Sequence, residues 1–176
     1  MPITDILSKN ASLYGDEICL TEVNPALRPN DDHAWKDFSL VEPKHQSEYH
    51  KTMTWREFDE QANRFANLLL ERGVKREDKV AILLMNCIEW LPIYFGILKA
   101  GAIVVPLNFR YTADEIKYCL ELADISMLVF GPEFVDRMAA IKDDIPAVKE
   151  LFFVGEEVPD FTESCEALAS ACSAEA

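Results

Sequence analysis

The sequence predicts an α/β fold: a parallel sheet with flanking helices, preceded by a short antiparallel strand pair. Three observations carry this. Four short apolar runs, at 80–85, 102–105, 127–130 and 151–154, have the length and unbroken hydrophobicity of strands covered on both faces. Amphipathic stretches at helical spacing alternate with them, and two Thr-x-x-Glu boxes mark helix starts between them. That alternation implies parallel strands joined by right-handed crossovers.

In chain order, a short amphipathic stretch opens the sequence, followed by Ile18-Cys19-Leu20-Thr21-Glu22-Val23 as a strand. Residues 24–48 are polar and rich in turn formers (Pro25, Pro29, Asn30, Asp31, Asp32, Pro43), and read as a surface insertion before a partner strand at about 49–53. Thr54 and Glu57 form the first capping box. Phe58, Ala62, Phe65, Ala66 and Leu69 then mark one helix face, and Gly73 is placed to end the helix.

After the 80–85 strand, Asn86 with Glu89 suggests a helix start. Pro92 fits there only if the helix begins later, because an interior proline removes a backbone bond. Lys99 reads as a cation on the dipole of that helix, with Gly101 as a left-handed cap. The 102–105 run reads as a second buried strand, stopped by Pro106. Thr112 and Glu115 open the next helix through Ile116, Cys119 and Leu120, and Gly131-Pro132 closes the third strand and starts another helix. Phe161, Cys165 and Leu168 lie at i, i+4 and i+7, which predicts one buried helix face near the end of the chain. The expected organisation is therefore 1–52 (helix, strand pair, insertion), 53–155 (α/β unit) and 156–176 (acidic helix or tail).

Composition narrows the function classes. With 31 Asp+Glu against 17 Lys+Arg, the net charge is −14, which excludes a general nucleic-acid binder and gives no polybasic membrane surface. No base follows Lys149, so much of the excess sits on a solvated terminal face. The five cysteines are widely spaced without a C-x-x-C. Cys87, Cys119 and Cys165 fall among apolar residues and read as small core hydrophobes. His33, His45 and His50 lack metal-ligand spacing, and no basic n-region with an apolar run opens the chain, so a soluble, cytoplasmic protein without a membrane span is expected. The six glycines form neither G-x-G-x-x-G nor G-x-x-x-x-G-K-[ST], and there is no G-x-S-x-G elbow. No catalytic constellation and no metal site is legible.

Two segments carry a resemblance. Met53-Thr54-Trp55-Arg56-Glu57-Phe58 resembles the first core motif of the adenylate-forming (AMP-binding) enzymes. Leu98-Lys99-Ala100-Gly101-Ala102-Ile103-Val104-Val105-Pro106-Leu107-Asn108 is similar to the second, with Asp78-Lys79-Val80-Ala81-Ile82 and Asn86-Cys87-Ile88-Glu89-Trp90 at the family's spacing between them. The Pro-Leu-Asn ending leans towards acyl-CoA synthetases. The resemblance implies the N-terminal subdomain of the acyl-CoA synthetase-like fold and a two-step reaction. A carboxylic acid, expected to be a fatty acid, is adenylated by ATP with magnesium, and coenzyme A (CoA) then displaces AMP. The family's phosphate loop, its aromatic-Gly-x-Thr-Glu segment, its ribose-binding Asp and its C-terminal Lys do not occur here. The expectation is thus a fragment, inactive alone, whose partner is the remainder of the ligase chain or a complementary subunit, with unpaired surface favouring self-association.

The resemblance also implies candidate cofactor-binding residues. Arg110 matches a position near the CoA nucleotide phosphates in some CoA ligases, where a guanidinium fork suits phosphate; Arg137 is a candidate of the same kind. A solvated surface Arg is the plainer alternative. Trp90, Tyr94 and Phe95 read either as an aromatic acyl pocket or, at their helical spacing, as core. The rival to the ligase reading is a stand-alone, non-catalytic binding or regulatory module derived from the same subdomain.

Overall fold

A computed structural model describes residues 2–23 and 50–175; the polar insertion expected at 24–48 lies outside the described residues. Helix α1 (Ile3–Tyr14) leads into an antiparallel pair, β1 (Ile18–Val23) and β2 (His50–Thr54). Then follow α2 (Trp55–Glu71), β3 (Lys79–Leu83), α3 (Trp90–Lys99), β4 (Ile103–Pro106), α4 (Ala113–Leu122), β5 (Met127–Phe130), α5 (Val135–Ile141), β6 (Glu150–Phe153), β7 (Glu163–Ser164) and α6 (Cys165–Ala171). The predicted parallel sheet is present in the order β4-β3-β5-β6-β7, and the chain reverses direction across it between β3 and β5.

Strand side chains alternate between two cores. Val80, Ile82, Met127, Val129 and Phe152 face α2, α3 and α6 on one side. Ala81, Leu83, Leu128, Phe130 and Phe153 face α4 and α5 on the other. This two-sided burial is why the strands read as continuous apolar runs. A third core, built on Leu7, Met53, Phe58 and Ala62, joins α1 and the strand pair to the outer faces of α2 and α3. Helix α3 is therefore sandwiched between two cores, which accounts for its apolar character all round.

Both Thr-x-x-Glu boxes form as predicted, at Thr54–Glu57 and Thr112–Glu115. A second local device recurs at three helix C-termini. Val74 N–H donates to Leu69 O and Gly73 N–H to Leu70 O, with Gly73 at φ 81. The same bond pair recurs at Ala102 and Gly101, and again at Ile125 and Asp124, so each Schellman turn delivers the chain towards its next strand.

Four expectations change. Helix α3 starts at Trp90 rather than at Asn86, so Pro92 falls in the first turn, where no intrahelical donor is lost. Strand β4 is not doubly buried: it is the sheet edge, with Ile103 45% exposed. Ile103 N–H donates to Asp78 O, just before β3, and Leu107 N–H to Ile82 O within it, so Pro106 turns its missing donor to the open edge and blunts it. Phe161 does not share a face with Cys165 and Leu168. It precedes α6 and stacks on Phe130 at 6.3 Å on the α4/α5 side, while Cys165 and Leu168 pack against the α2/α3 side. Of the cysteines expected in the core, Cys165 is buried and Cys87 and Cys119 are half-buried; Cys172 is buried as well.

The two-residue strand β7 is held by a clamp from Arg72, the residue that caps the C-terminus of α2. Arg72 Nη1 donates to Glu150 Oε2 at 2.9 Å and Glu163 Oε2 at 2.6 Å, and Nη2 to Glu163 Oε1 at 3.2 Å. The guanidinium also lies 5.9 Å over the Phe152 ring. Arg72 beside Glu163 holds that carboxyl below the usual glutamate range. A depressed acid pKa contributes stability above about pH 4.3 that is lost as pH falls through the lower, folded value. Arg72→Gln is thus expected to lower stability at pH 7 by about 1 kcal/mol, allowing for solvent screening of half-exposed Glu163. It should also flatten the loss of stability between pH 5 and pH 3. Urea denaturation at both ends of that window checks this; an unaltered pH slope would contradict it.

Candidate functional site

In open α/β sheets, ligands bind beyond the strand carboxyl ends where the strand order reverses. Here that point lies between β3 and β5. A cleft of about 860 Å³ opens there, lined by Leu84, Met85, Asn86 and Cys87 after β3, Gly131 to Glu133 after β5, Val154 to Glu156 after β6, and residues of α2, α3 and α6. Its floor is apolar (Phe65, Ile93, Pro92), but its walls are acidic. Seven glutamates face Lys51 and Arg64. A triphosphate brought to such walls would meet net repulsion, so the cleft of this chain alone does not suit one.

The two thiols that line it are poor nucleophiles. Burial pushes Cys87 and Cys165 up to about 12, helped by nearby Glu89. Among the described residues no group of three His, Cys, Asp or Glu side chains converges to hold a metal ion. The residues present therefore offer no fit for a magnesium–ATP complex.

The predicted binding residues lie outside this cleft, Arg110 in the loop after β4 and Arg137 on α5. Tyr111 N–H donates to Asn108 O at 3.0 Å, and Arg110 N–H to Asn108 Oδ1 at 3.0 Å, closing a tight turn. Arg110 is exposed, with its guanidinium 5.3 Å over the Phe109 ring. No carboxylate among the described residues pairs with it. Arg137, on α5, comes to the same loop. Its Nη1 donates to Phe109 O at 2.8 Å and Tyr111 O at 3.0 Å, and its guanidinium lies 5.4 Å over Phe134. The structure thus brings Arg110 and Arg137 to one loop.

The aromatic residues of α3 are divided between cores rather than gathered into a pocket. Trp90 and Tyr94 stack at 5.3 Å beside the sheet-facing core, and Phe95 meets Phe58 edge-on at 5.2 Å in the third core. The core alternative holds for them.

Lys99 lies in the last turn of α3, as expected of a cation on the helix dipole, and its side chain also makes contacts that the sequence reading did not include. Its Nζ donates to Asp59 Oδ1 and Asn63 Oδ1, both at 2.6 Å, and to Ser8 Oγ at 3.3 Å. With Lys99 10% and Asp59 17% exposed, this is a nearly buried junction of α1, α2 and α3. The same α2 stripe holds the end of the chain. Asn63 donates to Ala174 O at 2.9 Å, Asn67 to Ser173 and Glu175 oxygens at 2.9 Å, and Arg64 to the Ser170 and Cys172 oxygens. The spacing of Asp59, Asn63 and Asn67, four residues apart beside an apolar face, is the signal that could have revealed it.

Comparison with known proteins bears on the whole chain. The AMP-binding enzyme family matches residues 25–171. A medium/long-chain-fatty-acid–CoA/3-oxocholest-4-en-26-oate–CoA ligase from Mycolicibacterium smegmatis is 40% identical over 108 residues, covering 61% of this chain and 20% of the relative. The anthranilate CoA ligase AuaEII, solved with anthranoyl-AMP, superposes with a TM-score of 0.80 at 22% identity, over 100% of this chain and 30% of that one. The N-terminal domain of FACL13 from Mycobacterium tuberculosis gives 0.74 at 22% identity, over 98% of this chain and 36% of that domain. The chain therefore spans about a fifth of the length of the curated relative it matches.

Proposed function

From the premise that this chain belongs to the AMP-binding enzyme family, as an N-terminal portion of an acyl-CoA ligase, we propose that it serves as the structural subdomain of an AMP-forming fatty acyl-CoA synthetase. The carrying observation is the 40% identity over 108 residues, 61% of this chain, to a medium/long-chain-fatty-acid–CoA ligase. In the complete polypeptide ATP converts the carboxylate to an acyl-adenylate with release of pyrophosphate, and the CoA thiol displaces AMP. The acidic cleft supports a division of labour in which the cations and magnesium ligands that stabilise the phosphates come from sequence other than these residues. On this reading the 176 residues alone are catalytically silent.

Within this reading Arg110 is the residue of this chain that meets the CoA phosphates. Its exposed guanidinium, free of carboxylate partners among the described residues, supports that role. The remainder of the ligase, in the same chain or as a complementary subunit, is the partner. Free cysteines throughout suit a reducing compartment, and we place the protein in the cytoplasm. No helix among the described residues is long and apolar enough to cross a membrane.

The denatured mass of the natural polypeptide, detected with an antibody to this chain, tests the division of labour. The expected band lies at about three times 20.0 kDa, the ratio implied by a relative of which 108 matched residues make 20%. A band at 20.0 kDa would instead support the stand-alone module.

A further inference from the structure

We propose that Arg137 is a positioning residue for Arg110, holding the loop that presents it to a phosphate-bearing ligand. The inference rests on the reading of Arg110 as a CoA contact and extends it to a residue that does not itself touch the ligand. Three features of the loop carry it. The carbonyls on either side of Arg110, those of Phe109 and Tyr111, converge on the single Arg137 Nη1 at 2.8 and 3.0 Å. Two further bonds to Asn108 close the turn from inside, so the Arg110 backbone is fixed by local and long-range bonds together. The Arg137 guanidinium is itself seated over the Phe134 ring at 5.4 Å, and Phe134 is only 1% exposed, so the anchor is tied to the core.

The arrangement acts in two ways on an approaching anion. It removes the freedom of the loop, so less ordering is left to occur on binding. It also satisfies two carbonyl oxygens whose partial negative charge would otherwise stand beside the incoming phosphate. The Arg110 side chain, resting on Phe109 at 5.3 Å, is left outermost in a chain that carries 31 acidic residues. A planar fork suits this task better than an ammonium, because it can stack on Phe134 while donating in its own plane to both carbonyls.

The test is a double-mutant cycle in the complete ligase polypeptide, reading the ratio of KM for CoA to KM for ATP. Arg110→Ala is expected to raise that ratio about tenfold, the loss of one charge-assisted contact. Arg137→Ala is expected to raise it about threefold to fivefold, and the double variant no further than Arg110→Ala alone, since a positioned residue that is absent cannot be mispositioned. Arg137→Lys keeps the charge but loses the fork, and is expected to stay close to Arg137→Ala.

The arms separate the two readings. An effect of Arg110→Ala without one of Arg137→Ala overturns the positioning role and leaves the CoA contact standing. Additive effects, or full rescue by Arg137→Lys, overturn positioning in favour of a direct or purely electrostatic role. A silent Arg110→Ala, or a complete polypeptide with no CoA-dependent activity, overturns both.

Discussion

Lys99→Ala is expected to destabilise the chain by about 3 kcal/mol, because it removes one partner of a nearly buried ion pair and leaves the other in place. Three donations are lost, to Asp59, Asn63 and Ser8, and the Asp59 carboxylate keeps only Ser8 Oγ at 3.0 Å and a long bond from Asn63 at 3.4 Å. Asn63 is 4% exposed and is the buried polar residue among those described, so water does not readily replace what is lost. The double variant Lys99→Met/Asp59→Leu should recover a good part of the loss, since it buries neither charge. Urea denaturation of the parent, Lys99→Ala and the double variant measures both statements. A single-variant loss under about 0.5 kcal/mol would place the junction among ordinary surface pairs.

Gly96→Leu is expected to cost about 3 kcal/mol, and Gly96→Ala about 1 to 2 kcal/mol, although alanine is the better helix former by about 1 kcal/mol. The reason is the crossing of α2 and α3. A β-carbon at Gly96 would stand 2.8 Å from Ala62 O and 3.0 Å from Phe65 Cβ. The first of these is main chain inside a helix and cannot swing aside. Packing and propensity therefore predict opposite signs, and packing wins by its magnitude. Forcing the helices apart also pulls Lys99, one turn along α3, away from Asp59 and Asn63 on α2. Gly96→Leu and Lys99→Ala should for that reason combine to less than the sum of their separate losses. An alanine variant as stable as the parent would mean that the helices do not approach this closely.

Local chemistry made much of the fold legible. Capping boxes, apolar runs and Gly73 act within a few residues of themselves, so Thr54, Thr112 and the strands at β3 and β5 could be placed without knowing what packs on them. The misses concern relations across the chain. That β4 is an edge depends on strand order, which no run of four residues encodes. Phe161 matched a helical period by coincidence, and the start of α6 at Cys165 broke the phase. Strand β7 holds two residues and leans on Arg72, too little for a pattern to show.

Site residues divide the same way. Arg110 is a candidate through its neighbours in a motif, and Arg137 one of the same kind in the helix after Gly131-Pro132. That Arg137 grips the carbonyls around Arg110 needs 26 and 28 residues of chain to fold back. The place of Lys99 in the last turn of α3 is legible locally, while its partners on α2 lie 36 and 40 residues away and are not. The acidity of the cleft was visible only as a net charge of −14, without its location.

The most direct test of the ligase reading is acid-dependent ATP–pyrophosphate exchange by the natural polypeptide, captured from its source through this chain and offered a series of fatty acids. Exchange that requires a fatty acid, followed by thioester formation on addition of CoA, is the expected result. Absence of exchange with every acid in the series would contradict it and leave a subdomain of the AMP-binding family serving some purpose other than ligation.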